Sequence, residues 1–302
     1  MRVAAIDCGT NSIRLLIADV ASGRLTDISR RMEIVRLGEG VDRTGRLSDA
    51  ALSRTRKALI SYASEIADLG ISHVRMCATS ASRDASNAAE FRAMVRGVLG
   101  VDPEVITGDE EARLSFAGAV AGLDAEPPYL IFDIGGGSTE FVTGSRAVER
   151  AISMDIGCVR MTERHLHSDP PTEAEIAAAS SDISDAVDAA LAAVSAPAGV
   201  TLVGLAGTVT TVTALALGLP SYQADRIHHA RITRDQVAAV AGKLLGMTVA
   251  ERLALPVMHP GRADVIGGGA LILQIIMDRA GASSVIASEH DILDGIAFSI
   301  AR

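Results

Sequence analysis

The chain has 302 residues, 48% of them hydrophobic and 22% charged, with a formal net charge of −9. This is the composition of a globular protein rather than a disordered one, and its negative balance argues against a general nucleic-acid or anionic-membrane surface. Aromatic residues make up only 3% and Trp is absent, so stacking platforms for single-stranded nucleic acid are not expected.

In chain order, residues 3–8 and 12–20 read as two strands around a short turn, and 24–37 as a third. A helical period over 48–69 has Ser48 as its N-cap and Gly70 just past its end. Residues 73–79 read as a strand, 87–99 as a helix, 103–107 as a short strand and 109–122 as a helix that opens on three acids. Acids in a first turn suit the positive end of a helix dipole. Pro127 and Pro128 then stop any helix, which places a boundary in 123–129. The second half repeats the plan with strands at 129–134, 139–143 and 147–154, helices at 157–167 and 172–194, and a buried strand at 200–207. Helices at 233–245 and 264–280, a strand near 284–287 and a helix near 291–300 complete it. Strands separated by helices argue for an α/β fold with a largely parallel core.

Two stretches share one form. "VAAIDCGTNSIRLLIADV" (3–20) and "LIFDIGGGSTEF" (130–141) each run strand, aspartate, glycine turn, hydroxyl residue, strand, with Asp7 and Asp133 126 positions apart. This spacing suggests a duplicated domain rather than a short-period solenoid. Glycine lets a backbone approach a ligand closely, and successive N–H groups in such a turn form a small anion-binding concavity. Gly135, Gly136, Gly137, Ser138 and Thr139 in the second copy, and Gly9, Thr10, Asn11 and Ser12 in the first, could surround a phosphate. Asp7 and Asp133 would repel that phosphate unless a cation lay between, which points to a hard divalent ion, Mg²⁺ or Mn²⁺. A plain glycine hairpin is the alternative for either copy alone. A strand rather than a helix follows Gly137, so the pattern is not a Rossmann fingerprint, and no GxxxxGK[ST] loop is present.

The duplicated turns resemble the phosphate loops of the acetate kinase, sugar kinase, Hsp70 and actin (ASKHA) superfamily. Within it, the chain resembles the exopolyphosphatase and guanosine pentaphosphatase (Ppx/GppA) family. The resemblance rests on "AAIDCGTNSIRLLIADV", "ATSASRDASNAAEF", "ITGDEEARLSFAGA", "LIFDIGGGSTEFV", "SMDIGCVRMTE", "VGLAGTVTTVTAL" and "GRADVIGGGALIL", in that order. It implies two actin-like α/β domains, 1–124 and 125–302, with an interdomain cleft and with a last helix (about 288–302) that packs back on the first. It also implies hydrolysis of the terminal phosphoanhydride of inorganic polyphosphate, guanosine pentaphosphate (pppGpp) or both, by direct attack of water. Glu111 in "TGDEEARL" then resembles the catalytic base, with Glu110 its competitor. Asp133, Glu140 and Asp7 would hold the metal. Arg83 and Arg14 would contact phosphate, although an acid within the protein would equally satisfy an arginine in an apolar strand. Gly207, Thr208 and Thr210 match a loop that approaches nucleotide in kinase relatives. The triplet Gly267–Gly269 reads as a site of close helix packing.

Cys8, Cys77 and Cys158 form no CxxC, so a reducing compartment is the default, and a cytoplasmic protein, with a homodimer possible, is the expectation. Cys77 and Arg83 show the C-x5-R spacing of cysteine phosphatases, but no glycine lies between them, and Cys77 reads as a buried strand residue. His228 and His229, if adjacent on a strand, would face opposite ways and not share a metal. An ATP-dependent kinase of the same superfamily and a non-catalytic (p)ppGpp sensor are the competing functions. The ending "ASEHDILDGIA" departs from the family's usual one, in which a glycine and a basic residue precede a Glu-Gly pair. That departure bears on nucleotide preference.

Overall fold

The computed structural model describes residues 1–197 and 199–301. Arg302, the end of the expected last helix, and Ala198, inside the expected second domain, lie outside the described residues. The chain divides into two compact units, Met1–Ala121 with Asp291–Arg302, and Gly122–His290.

The first unit contains β1 (Arg2–Cys8), β2 (Ser12–Ala21), β3 (Arg24–Ile34), α1 (Val41–Thr44), α2 (Asp49–Asp68), β4 (Val74–Ala78), α3 (Ser80–Asp84), α4 (Ala88–Leu99), β5 (Glu104–Val105) and α5 (Gly108–Val120). The second contains β6 (Tyr129–Ile134), β7 (Thr139–Gly144), β8 (Val148–Met154), α6 (Cys158–His165), α7 (Glu173–Val194), β9 (Thr201–Leu205), α8 (Ala206–Ala216), α9 (Ala224–Ile227), β10 (Arg231–Thr233), α10 (Arg234–Leu245), α11 (Val249–Leu253), α12 (Ile266–Arg279) and β11 (Ser284–Ala287). Helix α13 (Ile292–Ile300) belongs to the first unit.

The sheets run β3-β2-β1-β4-β5 and β10-β11-β9-β6-β7-β8. In each, an antiparallel three-strand meander adds parallel strands beyond its first member, and among the described residues β10 is the one strand added to the shared plan. The fold is therefore α/β with two mixed sheets, and the duplication seen in sequence is a duplication of topology.

Strand parity sets what each face carries. Ala4, Ile6 and Cys8 of β1 join Ile13, Leu15 and Ile17 of β2 in a core under α2 and α4. Val3, Ala5, Leu16 and Ala18 face the other way, in a core with Leu114 of α5 and Ile292, Leu293 and Ile296 of α13. Asp7 and Arg14 share the parity of this second set, so the β1–β2 turn offers them on the α5–α13 side.

Helices α5 and α13 meet at two glycines. A Cβ on Gly118 would overlap the Asp291 carbonyl oxygen, and one on Gly295 would overlap the Leu114 carbonyl oxygen. The glycine triplet of α12 works similarly in the second unit: Cβ atoms at Gly268 and Gly269 would press on Thr162 of α6 and Thr208 of α8.

The expected strand at 200–207 stops at Leu205, and Ala206–Ala216 is a helix absent from the sequence reading. Its "TVTTVT" run is β-branched and reads as strand. Burial overrides propensity here, because Thr208, Val209, Thr210, Thr211, Val212 and Thr213 are all buried. The Thr211 hydroxyl also returns to the Gly207 carbonyl one turn back at 2.6 Å. The expected strand at 24–37 ends at Ile34. The short elements α1, α9, β10 and α11 are too brief to carry a readable period. His228 and His229 do not lie on a strand. His229 adopts a left-handed backbone (φ 62°), and their rings stack with centroids 3.7 Å apart.

Candidate active site

The two aspartate–glycine turns close identically. The Gly9 N–H donates to the Ser12 carbonyl, and the Gly135 N–H to the Ser138 carbonyl, each at 3.0 Å. In both, neighbouring chain consumes the turn's carbonyl oxygens. Thr10 O accepts the Gly38 N–H, and Asn11 O accepts those of Val35 and Arg36. In the second turn, Gly135 O accepts from Cys158 N, and Gly136 O from Val159 N and Arg160 N, at the start of α6. Arg160 Nε donates to Gly137 O at 2.7 Å. Gly157 makes this approach possible, since a Cβ there would overlap Gly136 O. With the carbonyls committed, the N–H groups of Thr10, Gly136 and Gly137 take no partner among the described residues. Amides left available on one side of a turn are what an anion nest requires.

The two turns differ in charge. Asp7 pairs across the strands with Arg14, and Asp133 with Glu140, at the same register. Cross-strand neighbours share a face and lie about 5 Å apart at Cβ. The Arg14 Nε and Nη2 both donate to Asp7 Oδ2, at 3.0 and 2.7 Å, and Nη1 donates to Asp291 Oδ2. The partner of Arg14 is thus acid on both sides, one of the two possibilities open from sequence. Asp7 is 4% exposed, and its Oδ1 is buried without a partner. Burial pushes the Asp7 carboxyl up, and Arg14 opposes that shift. Asp133 and Glu140 are buried on the face of their sheet opposite Phe132 and Phe141, which lie in the core. Glu140 Oε1 accepts from the Ser153 hydroxyl at 2.7 Å.

Helix α5 begins where Thr107 accepts the Glu110 N–H at 3.2 Å. Glu110 is half-buried and pairs with Arg75 at 2.8 Å. Glu111 is 8% exposed, and its Oε2 accepts from Arg83 Nη1 at 3.3 Å. The same Arg83 nitrogen donates to the Ile106 carbonyl at 3.0 Å. Helix α3, which carries Arg83, is tied to the first turn by the Thr10 and Ser80 hydroxyls, 2.9 Å apart. The first unit therefore links Gly9, Thr10, Arg83 and Glu111 in one connected neighbourhood.

In the second unit, Asp133 lies beside Leu205 in the parallel ladder, and Gly207 and Thr208 follow directly at the start of α8. Ala206 takes a left-handed backbone (φ 68°) at this junction, a conformation that costs a non-glycine residue about 1–3 kcal/mol. The Arg262 guanidinium lies over Gly207, so closely that a Cβ there would overlap it. The Thr210 and Tyr222 hydroxyls lie 2.8 Å apart.

The donors at these positions fit a hard cation. Among the described residues no three His, Cys, Asp or Glu side chains form a ready ligand group. The first unit offers the buried Asp7 Oδ1, and the second carries the Asp133 and Glu140 carboxylates. Mg²⁺ characteristically takes one or two carboxylates and completes its shell with water and substrate phosphate.

Cys77 is buried in β4 beside Asp7, and burial pushes its thiol up to about 12. A thiol this far from ionisation is not a nucleophile at neutral pH. Cys77→Ala is expected to retain phosphate release, and the native protein to resist iodoacetamide at pH 7; loss of activity on alkylation would restore the thiolate reading.

A family model described as the Ppx/GppA phosphatase family matches residues 16–302. The chain belongs to this family. It is 51% identical to Exopolyphosphatase 2 of Mycobacterium tuberculosis, over 99% of this chain and 98% of the relative. Among solved structures, it superposes with a TM-score of 0.95 on an exopolyphosphatase-like protein, at 44% identity over 99% of this chain and 97% of the other. The Aquifex aeolicus Ppx/GppA family member superposes at 0.84, with 32% identity, over 100% and 97% of the two chains. As a Ppx/GppA phosphatase the protein is a hydrolase.

Two residues of the Ppx/GppA chain escaped the sequence reading. Arg160 braces the glycine turn through Gly137 O, and the only signal was its place in "CVRMTE". Asp291 engages Arg14, and its signal was the unusual acidic ending already noted.

Proposed function

We propose that the protein removes the terminal phosphate of inorganic polyphosphate by direct attack of water, with Mg²⁺ or Mn²⁺ as cofactor and guanosine pentaphosphate as a second candidate substrate. The observation that carries this reading is the twice-built aspartate–glycine turn, with its carbonyls tied back and its amides available to an anion. The family match and the relative named Exopolyphosphatase 2 support the same chemistry.

In this reading the amides of Thr10, Asn11, Gly136 and Gly137 and the hydroxyls of Thr10, Ser12, Ser138 and Thr139 orient the phosphate oxygens. Gly9 and Gly135 set the turns, and Gly207 and Thr208 meet more of the chain. Glu111 accepts the proton of the attacking water, in place of Glu110, which is spent on Arg75. Arg83 holds the Glu111 carboxylate and lies on the element joined to the first turn. Arg14 acts through Asp7 rather than on phosphate. Asp133 and Glu140 in the second unit, and Asp7 in the first, would each offer carboxylate oxygen to a divalent cation, which would offset phosphate charge and polarise the bond to be broken. The site sits on strands and helix starts of a protein whose described helices include none long and apolar enough to cross a membrane.

The test is orthophosphate release from long polyphosphate, short polyphosphate and pppGpp in parallel, with Mg²⁺ and no phosphoryl acceptor. Release without acceptor is the expected result. Turnover only with ATP and an acceptor would make the protein a kinase, and tight (p)ppGpp binding without any release would make it a sensor.

A further inference from the structure

We propose that Asp291 is a positioning residue that fixes Arg14 so that Asp7 is held through Oδ2 alone and its Oδ1 is left for a divalent cation. The inference rests on the reading above, in which Asp7 helps hold that cation. It starts from the difference between the two hairpins. In the second, Asp133 faces Glu140, and two carboxylates on one face attract a cation unaided. In the first, the equivalent partner is Arg14. Left alone with Arg14, Asp7 would form a neutral, bidentate pair with both oxygens used and would have little left to offer a metal.

The geometry departs from that pair in one respect. Both Arg14 donors on the Asp7 side converge on a single oxygen, Oδ2, while Nη1 is drawn to Asp291. Asp7 Oδ1 is left buried with no partner. One guanidinium is thus shared by two buried carboxylates, Asp7 and Asp291. A buried, unpartnered carboxylate oxygen is costly, and a cation arriving at Oδ1 removes that cost.

Asp291 is well placed to pull on Arg14 without moving. It is the N-cap of α13, and its Oδ1 accepts the Leu293 N–H at 3.0 Å. Its own N–H donates to Asp294 Oδ2 at 3.0 Å, completing a capping box. Asp294 is in turn paired with Arg30 of β3 at 2.6 Å. Gly118 and Gly295 let α13 lie close enough to α5 for the cap to reach the turn. The other charged groups on Arg14 and Asp291 are Asp7 and Arg30, and both are already in this network.

Asp291→Asn keeps the cap oxygen for Leu293 and removes the charge on Arg14. Mn²⁺ binding to substrate-free protein, followed by calorimetry, is expected to weaken by roughly 10- to 100-fold, the usual range for an outer residue that orients a ligand. The Mg²⁺ concentration for half-maximal turnover should rise in step. Arg30→Gln loosens the same helix without touching Arg14 and should bind Mn²⁺ as the wild type does. Equal Mn²⁺ affinity in Asp291→Asn and wild type overturns the inference, as does an equal loss in Arg30→Gln or a wild type that takes up no Mn²⁺. If wild-type protein binds Mn²⁺ in an Asp291-dependent way yet releases no phosphate, only the hydrolase reading fails.

Discussion

Glu111→Gln is expected to lower turnover of polyphosphate by at least ~100-fold, the low end for loss of a general base and about 2.7 kcal/mol of barrier. The substitution is nearly isosteric. The amide oxygen can still accept from Arg83 Nη1, so the buried position remains satisfied. What disappears is the ability to take a proton. Binding of the anionic substrate should therefore survive, and kcat rather than KM should carry the loss. Glu110→Gln is the matched control. It breaks a partly exposed pair with Arg75, a contact of the kind worth about 1 kcal/mol or less to stability, and should leave turnover close to normal. If Glu110→Gln carried the defect and Glu111→Gln did not, the proton acceptor would be misassigned despite its burial.

The second large effect is on stability. Gly118→Ala is expected to destabilise the protein by about 1–3 kcal/mol and to lower the melting temperature by roughly 2–10 °C. Alanine is the better helix former, so propensity alone would predict a gain of roughly 0.5–1 kcal/mol. Packing reverses the sign here. The new methyl would overlap the backbone carbonyl of Asp291, which has no rotamer by which to yield. The α5–α13 crossing must widen, and it carries Glu111 on one helix and the Asp291 cap on the other. Gly242→Ala in α10 tests the argument, because a Cβ there meets nothing within 4 Å. That variant should be neutral or slightly stabilised. Equal melting temperatures for Gly118→Ala and Gly242→Ala would show that the helices separate without cost.

Much of this was legible in the residues themselves. Asp7 and Asp133 at strand ends, glycines after them and hydroxyls beyond announced the same turn twice, because glycine is the residue that allows such a close approach. The order of motifs named the family. Local chemistry sufficed where the signal was a period or a turn.

What only the tertiary structure decided depended on partners distant in sequence. Glu110 and Glu111 are adjacent and chemically alike, and only packing leaves one half-buried beside Arg75 and buries the other. Arg14 could have met phosphate or acid; its second carboxylate comes from Asp291, 277 residues away. The β-branched run 208–213 became helix because burial outweighed propensity. In each case the deciding free energy came from contacts between remote segments, and a linear pattern does not carry those contacts.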